Sequence, residues 1–137
     1  MSNLIDKTVL NKIGVPMMTK YLDLASLRHK LIAGNIANIS TPNYQGKDIN
    51  FHAELKKAVS KTEHLAGVTT HERHIPLGRS SGRDPKVFDK EGAHNGLNRV
   101  DIDREVADMT QNQIYFSIGA KLLQNKFDGL RRAIRSK

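Results

Sequence analysis

Cysteine is absent from the 137 residues. That excludes disulfides, thiolate catalysis and cysteine-based zinc sites, and it removes any redox argument about compartment. Tryptophan is also absent, and aromatic residues make up only 5% of the chain. Apolar residues account for 38%, below the roughly 45–50% of ordinary globular domains. The apolar residues must therefore be gathered in part of the chain and leave the rest open. No continuous apolar run approaches the ~18 residues that a membrane-spanning helix needs. The opening stretch MSNLIDKTVLNKIGVPMM mixes acid and base and has no apolar centre, so it does not read as a cleavable secretory signal. Any export is expected to use another route.

Charge of one sign is not concentrated either. The net charge of +8 invites a nucleic-acid partner, but its distribution argues against one. Residues 1–51 carry six bases and three acids, residues 52–99 nine and six, and residues 100–137 seven and five. The excess forms no stripe along one helix face.

What is present is helical periodicity at both ends. Ile102, Val106, Met109, Gln113, Phe116, Ala120, Leu123, Phe127, Leu130 and Ile134 follow alternating steps of four and three, with Gln113 the one polar member. This is the seam of a coiled coil. It predicts a helix from Asp101 to about Arg135, roughly 50 Å long at 1.5 Å per residue. Asp101, Asp103, Glu105 and Asp108 stand at its start, and Lys126, Arg131, Arg132, Arg135 and Lys137 at its end. Both groups complement the helix dipole, with Asp101 or Asn98 as N-cap. The acids are fully accounted for by that capping role.

The N-terminal part repeats the pattern at Met18, Leu22, Ala25, His29, Ile32, Ile36 and Ile39, widened by Met17, Tyr21, Leu24, Leu27 and Leu31. It predicts a helix from about Pro16 to Ile39, preceded by a break at Gly14 and a short helix over Leu4–Ile13. Pro42 forces the helix to end before Thr41. Pro42 followed by Asn43 fits a tight turn whose third residue takes positive φ. KDINFHAELKKAV reads equally as an extended piece or a short helix. Residues 60–98 show no sustained period and read as a flexible loop. The expected organisation is one mainly α structural domain: an N-terminal helical segment (1–39), a turn and short extension (40–59), a flexible and partly irregular or β middle (60–99), and a C-terminal helix (100–137) packing with the first as a coiled-coil-like hairpin.

No catalytic constellation emerges. His71 and His74 have i, i+3 spacing, but Pro76 and the glycine-rich flanks argue against a helix there, and no HExxH frame exists. GRSSGRD is neither a nucleophile elbow nor a P-loop. No metal, cofactor or catalytic residue is expected. His29 and Gln113, polar positions on apolar seams, read as packed spacers or as devices that fix helix register. Asn35 and Asn38 read either as solvated surface or as amides bonding the turning backbone or a neighbouring chain. Gly34, between Ala33 and Ala37, makes close approach of another helix a fitting compensation for its ~1 kcal/mol helix cost.

GNIANISTPNYQGKDINF resembles the N-terminal signature of the flagellar axial proteins, roughly A-N-I-A-N-x-x-T-P-G-Y. NRVDIDREVADMTQNQIYF resembles the C-terminal block of the same family. The short length, DINFHAELKKAV and HERHIPL look most like the proximal basal-body rod proteins. Gly34 and Asn43 depart from the signature, which has Ala and Gly there; Asn43 still tolerates positive φ. The resemblance implies a structural subunit of the bacterial flagellar rod, exported by the flagellar type III apparatus without a cleavable signal. It also implies assembly in the periplasm with copies of itself, other rod proteins and the MS-ring or rod base, without nucleic acid, cofactor or membrane insertion. The interface residues would be the two apolar seams, and the turn motif would be Asn35, Asn38, Thr41, Pro42, Asn43 and Tyr44. A small basic coiled-coil nucleic-acid binder and a secretion chaperone are the alternatives.

Overall fold

The structure is a computed structural model, and it describes residues 14–59, 84–90 and 99–135. The anticipated helix over Leu4–Ile13 lies outside them. Among the described residues the order is α1 (Val15–Ala37), β1 (Lys47–Ile49), α2 (Phe51–Val59), β2 (Val87–Asp89) and α3 (Ile102–Arg135). The chain is mainly helical, with α1 packed against α3.

Each boundary has a local cause. Gly14 takes φ 78°, and proline follows in the first turn of α1, where its missing N–H costs nothing. α1 ends at Ala37, two residues before the expected Ile39. The Asn38 side chain accounts for this: its Nδ2 donates to Gly34 O at 2.8 Å, and its backbone N–H reaches the same carbonyl. Two donors on one late carbonyl close the helix early. Asn50 caps α2 by accepting from Ala53 N at 3.0 Å. Asp101 caps α3 by accepting from Asp103 N and Arg104 N.

KDINFHAELKKAV is both of its alternatives in succession, a three-residue strand and then a helix. β1 pairs antiparallel with β2, Lys47 opposite Asp89 and Ile49 opposite Val87. This is the β part expected of the middle segment, and it departs only from a wholly flexible loop over residues 60–98. Val87–Asp89 form an ordered edge strand whose position is set by pairing, which periodicity cannot reveal in three residues. The remainder of that expectation falls outside the described residues.

The core is small. Leu24, Ala25, Ile32, Ile49, Phe51 and Val100 are buried, with Tyr21, Leu27, Leu31 and Leu55 packed at the margin. Phe51 meets Tyr21 edge-to-face at 5.1 Å and lies 6.4 Å from Tyr115. Burying a Leu, Ile or Phe side chain contributes about 1.5–3 kcal/mol. β1 and α2 thus pack along one side of α1, and Phe51 reaches across to Tyr115 of α3.

The two seams do not meet along their lengths. The buried residues of α3 are Glu105, Asn112 and Gly119, one heptad apart. Ile102, Val106, Phe116, Phe127 and Ile134 are exposed, and Met109, Ala120, Leu123 and Leu130 are half-buried. On α1 the inner face is Leu24, Ala25, Ile32 and Asn35; Met18, Leu22, Ile36 and Ile39 are half-buried, and His29 is exposed. The expected hairpin of the two terminal helices is present; within it, α3 is rotated. A polar and small-residue stripe faces α1, and most of the apolar seam turns outward. Gly119 shows why: a Cβ there would sit 2.6 Å from the Tyr21 ring. Close approach occurs at Gly119 and not at Gly34, where nothing lies within 4 Å.

Candidate subunit interface

The turn motif builds a junction around one amide. Asn35 is fully buried. Its Nδ2 donates to Lys47 O at 2.9 Å and to Glu105 Oε2 at 3.0 Å. Its Oδ1 accepts from Lys47 N at 2.8 Å and from the Tyr44 hydroxyl at 3.4 Å. All four hydrogen-bonding positions of the side chain are used. One residue of α1 thereby fixes the returning strand β1 and the start of α3.

The chain reaches that strand through the turn. Thr41 N donates to Asn38 O at 2.9 Å, and Tyr44 N to Thr41 O at 3.3 Å. Pro42 and Asn43 occupy the central positions, and Asn43 has φ 58°. Only glycine, asparagine and aspartate adopt that region readily, so Asn43 serves where the family signature has glycine. Thr41, Pro42 and Asn43 are exposed. Gly46 follows, with its Cβ position 3.5 Å from Asn35 Nδ2.

Around Asn35 lies a chain of charges. Arg28 grips Asp48 with two hydrogen bonds of 3.0 and 3.1 Å and reaches Asp108 at 3.6 Å. Lys90, just past β2, places Nζ 2.7 Å from both Glu105 and Asp108. Burial alone would lower the pKa values of Arg28 and Lys90. Hydrogen bonds and opposite charges, from Asp48 and Asp108 on Arg28 and from Asp108 and Glu105 on Lys90, outweigh it and raise both. Glu105 and Asp108 are therefore more than dipole-complementing acids, which corrects their purely capping role. They receive the strand that closes the middle of the chain. Sequence inspection missed this because Lys90 lies fifteen and eighteen residues away from them.

The outer face has the opposite character. The exposed members of the α3 seam form an apolar row along much of the helix. Beside that row, between α1 and α3, is a cleft of about 300 Å³ lined by Ala25, Ser26, His29, Asn112, Gln113 and Phe116. The two polar seam positions, His29 and Gln113, come together here. Asn112 Nδ2 donates to Ala25 O at 2.9 Å, while its buried Oδ1 has no hydrogen-bond partner among the described residues.

No group of His, Cys, Asp and Glu is arranged to hold a metal ion among the described residues. None of the described helices is long and apolar enough to cross a membrane.

No family model matches the chain. It is 30% identical over 124 residues to the flagellar basal body rod protein FlgB of Aquifex aeolicus, covering 90% of this chain and 94% of that protein. Against FlgB of Bacillus subtilis the identity is 31% over 115 residues, covering 82% and 86%. Against FlgB of Salmonella typhimurium it is 32% over 120 residues, covering 83% and 87%. Similarity at this level, sustained along most of both chains, places the sequence in the FlgB family of flagellar basal body rod proteins.

Proposed function

We propose that the chain is a structural, non-catalytic subunit of the bacterial flagellar basal body rod, and that its outward apolar row is the surface through which it assembles. The carrying observation is the exposed apolar surface of α3: Ile102, Val106, Phe116, Phe127 and Ile134 lie beside the Glu105–Asn112–Gly119 stripe that meets α1, and Ile114, Ile118 and Leu122 are exposed as well. A contiguous apolar surface of this kind marks an interaction site, and its heptad spacing calls for another helix. The half-buried members Met109, Ala120, Leu123 and Leu130 would be covered with it, as would the α1 edge at Met18, Leu22, Ile36 and Ile39.

In this reading α1 and α3 form the assembling helical layer, and β1, α2 and β2 are carried on its surface. The Thr41–Asn43 turn directs the chain out of that layer. The partners are copies of the chain, other rod proteins and the rod base at the MS ring. Delivery is through the flagellar type III apparatus, without a cleaved signal, to the periplasmic rod.

Deleting the chain in its host and examining motility together with isolated basal bodies tests this. The expected result is non-motile cells with rings but no rod or hook, rescued by the intact gene and not by Phe116→Asp. Swimming cells with complete basal bodies would overturn it.

A further inference from the structure

We propose that the groove between α1 and α3, centred on the Asn112 cleft, receives the C-terminal end of α3 from a second copy of this chain. The second copy lies parallel and is displaced by about three heptads, roughly 32 Å along the helix axis. The inference rests on the subunit reading above and names its partner and geometry.

Three observations carry it. First, charge: residues 101–113 hold four acids (Asp101, Asp103, Glu105, Asp108) and one base (Arg104), whereas residues 122–135 hold four bases (Lys126, Arg131, Arg132, Arg135) and one acid (Asp128). Parallel copies in register would place like charge beside like; a displaced pair places the basic end along the acidic start. Second, seam continuity: a shift of three heptads keeps equivalent positions together. It sets the partner's Phe127 against Val106, its Leu130 against Met109 and its Ile134 against Gln113. Ile134 is 76% exposed, more than any other large apolar side chain described. Third, the cleft: at the level of Gln113 lie the ~300 Å³ space and the unpartnered, buried Asn112 Oδ1. An unpaired acceptor of this kind is costly until a donor reaches it. An isoleucine followed by an arginine supplies an apolar filling and a donating guanidinium together.

An antiparallel pair would also match the charges, but it is isologous and closes as a dimer. The displaced parallel contact leaves one end free on each copy and so propagates, as a rod subunit requires.

The absence of cysteine makes the test clean. Two variants, Gln113→Cys and Ile134→Cys, are co-expressed in cells lacking the native gene, and basal bodies are isolated under oxidising conditions. Within one chain the two positions are about 32 Å apart along α3, so a disulfide between them joins two copies. The expected result is a 113–134 linked dimer when both variants are present and none with either alone. A motile strain without that product overturns the geometry while leaving the rod assignment intact; basal bodies lacking the chain altogether defeat the rod assignment itself. Phe116→Cys and Ala120→Cys, on separate copies, face each other in the antiparallel alternative, and a 116–120 link between two copies overturns the proposal. So does capture of Gln113→Cys by a different rod protein. As a check on purified protein, Ile134→Asp is expected to weaken self-association at least tenfold by sedimentation, with unchanged helix content by circular dichroism. Undiminished association overturns the proposal as well.

Discussion

The junction around Asn35 and the outer face of α3 lie on the same helix pair and are built on opposite terms. At the junction, polar side chains are buried and paired: Asn35 uses all its hydrogen-bonding positions, and Arg28, Lys90 and three carboxylates close on one another. On the outer face, apolar side chains are exposed and one buried acceptor goes without a partner. The difference separates what the chain settles by itself from what it leaves to neighbours. Directional bonds fix the arrangement of α1, β1 and α3 within one molecule. The non-directional apolar driving force is held in reserve for association.

The junction is the place where a single change should do most damage to the isolated chain. Asn35→Leu leaves the Lys47 amide and carbonyl and one Glu105 oxygen without their partner. Each buried polar group so orphaned costs ~1–3 kcal/mol, so a loss of about 3 kcal/mol or more is expected in urea denaturation. A midpoint within error of the parent would mean that the amide is solvated and the junction is not the organising element.

Lys90 sharpens the same side of the comparison through pH. Its pKa is raised in the fold, so its stabilisation is fully present below the ordinary lysine value near 10.4 and is lost as pH rises through the higher folded value. Lys90→Met is expected to be less stable than the parent at pH 7 and to lose less stability above about pH 10. Tyr21, whose pKa burial also raises, adds an alkaline loss common to both proteins. The difference between the two curves therefore isolates Lys90, and parallel curves would show that its ion pairs contribute nothing.

Glycine gives a smaller effect with opposite signs at two positions. Gly119→Ala pushes a Cβ to 2.6 Å from the Tyr21 ring, and overpacking of this kind costs about 1–3 kcal/mol. Gly34→Ala meets nothing within 4 Å and should gain up to ~1 kcal/mol from helix propensity. Thermal unfolding of the two variants decides it, and equal shifts in the same direction would contradict the rotated packing of α3.

That packing marks the limit of what the sequence discloses. Both long helices, the stop before Pro42, the positive φ at Asn43 and the Asp101 cap follow from local rules that act within a few residues. The four–three spacing of Ile102 to Ile134 also identifies an apolar face correctly as a face. It does not say what covers it, because periodicity records amphipathicity and not the identity of the partner surface. The stripe that meets α1, Glu105–Asn112–Gly119, has its own seven-residue spacing, but a carboxylate, an amide and a glycine carry no hydrophobic signal. Lys90 and β2 were hidden for a related reason. Their partners are distant in sequence, and a three-residue strand is too short to show a period.

The smallest expected change in stability is paired with a complete loss of function, and it tests the comparison most directly. Phe127 is exposed and on the outer row. It keeps 45% of its surface open, so its replacement by serine removes only part of a core phenylalanine's contacts, and the folding free energy should change by less than about 1 kcal/mol. If the outer row serves association, Phe127→Ser cells should nevertheless fail to swim, with the variant chain synthesised at parental levels and missing from basal bodies. A destabilisation of 2 kcal/mol or more, the size expected of a core phenylalanine, would place Phe127 in the monomer's own core. Normal swimming with normal stability would remove it from the interface. Only an unchanged monomer that no longer assembles supports the division between a polar junction that holds each chain together and an apolar face that joins one chain to the next.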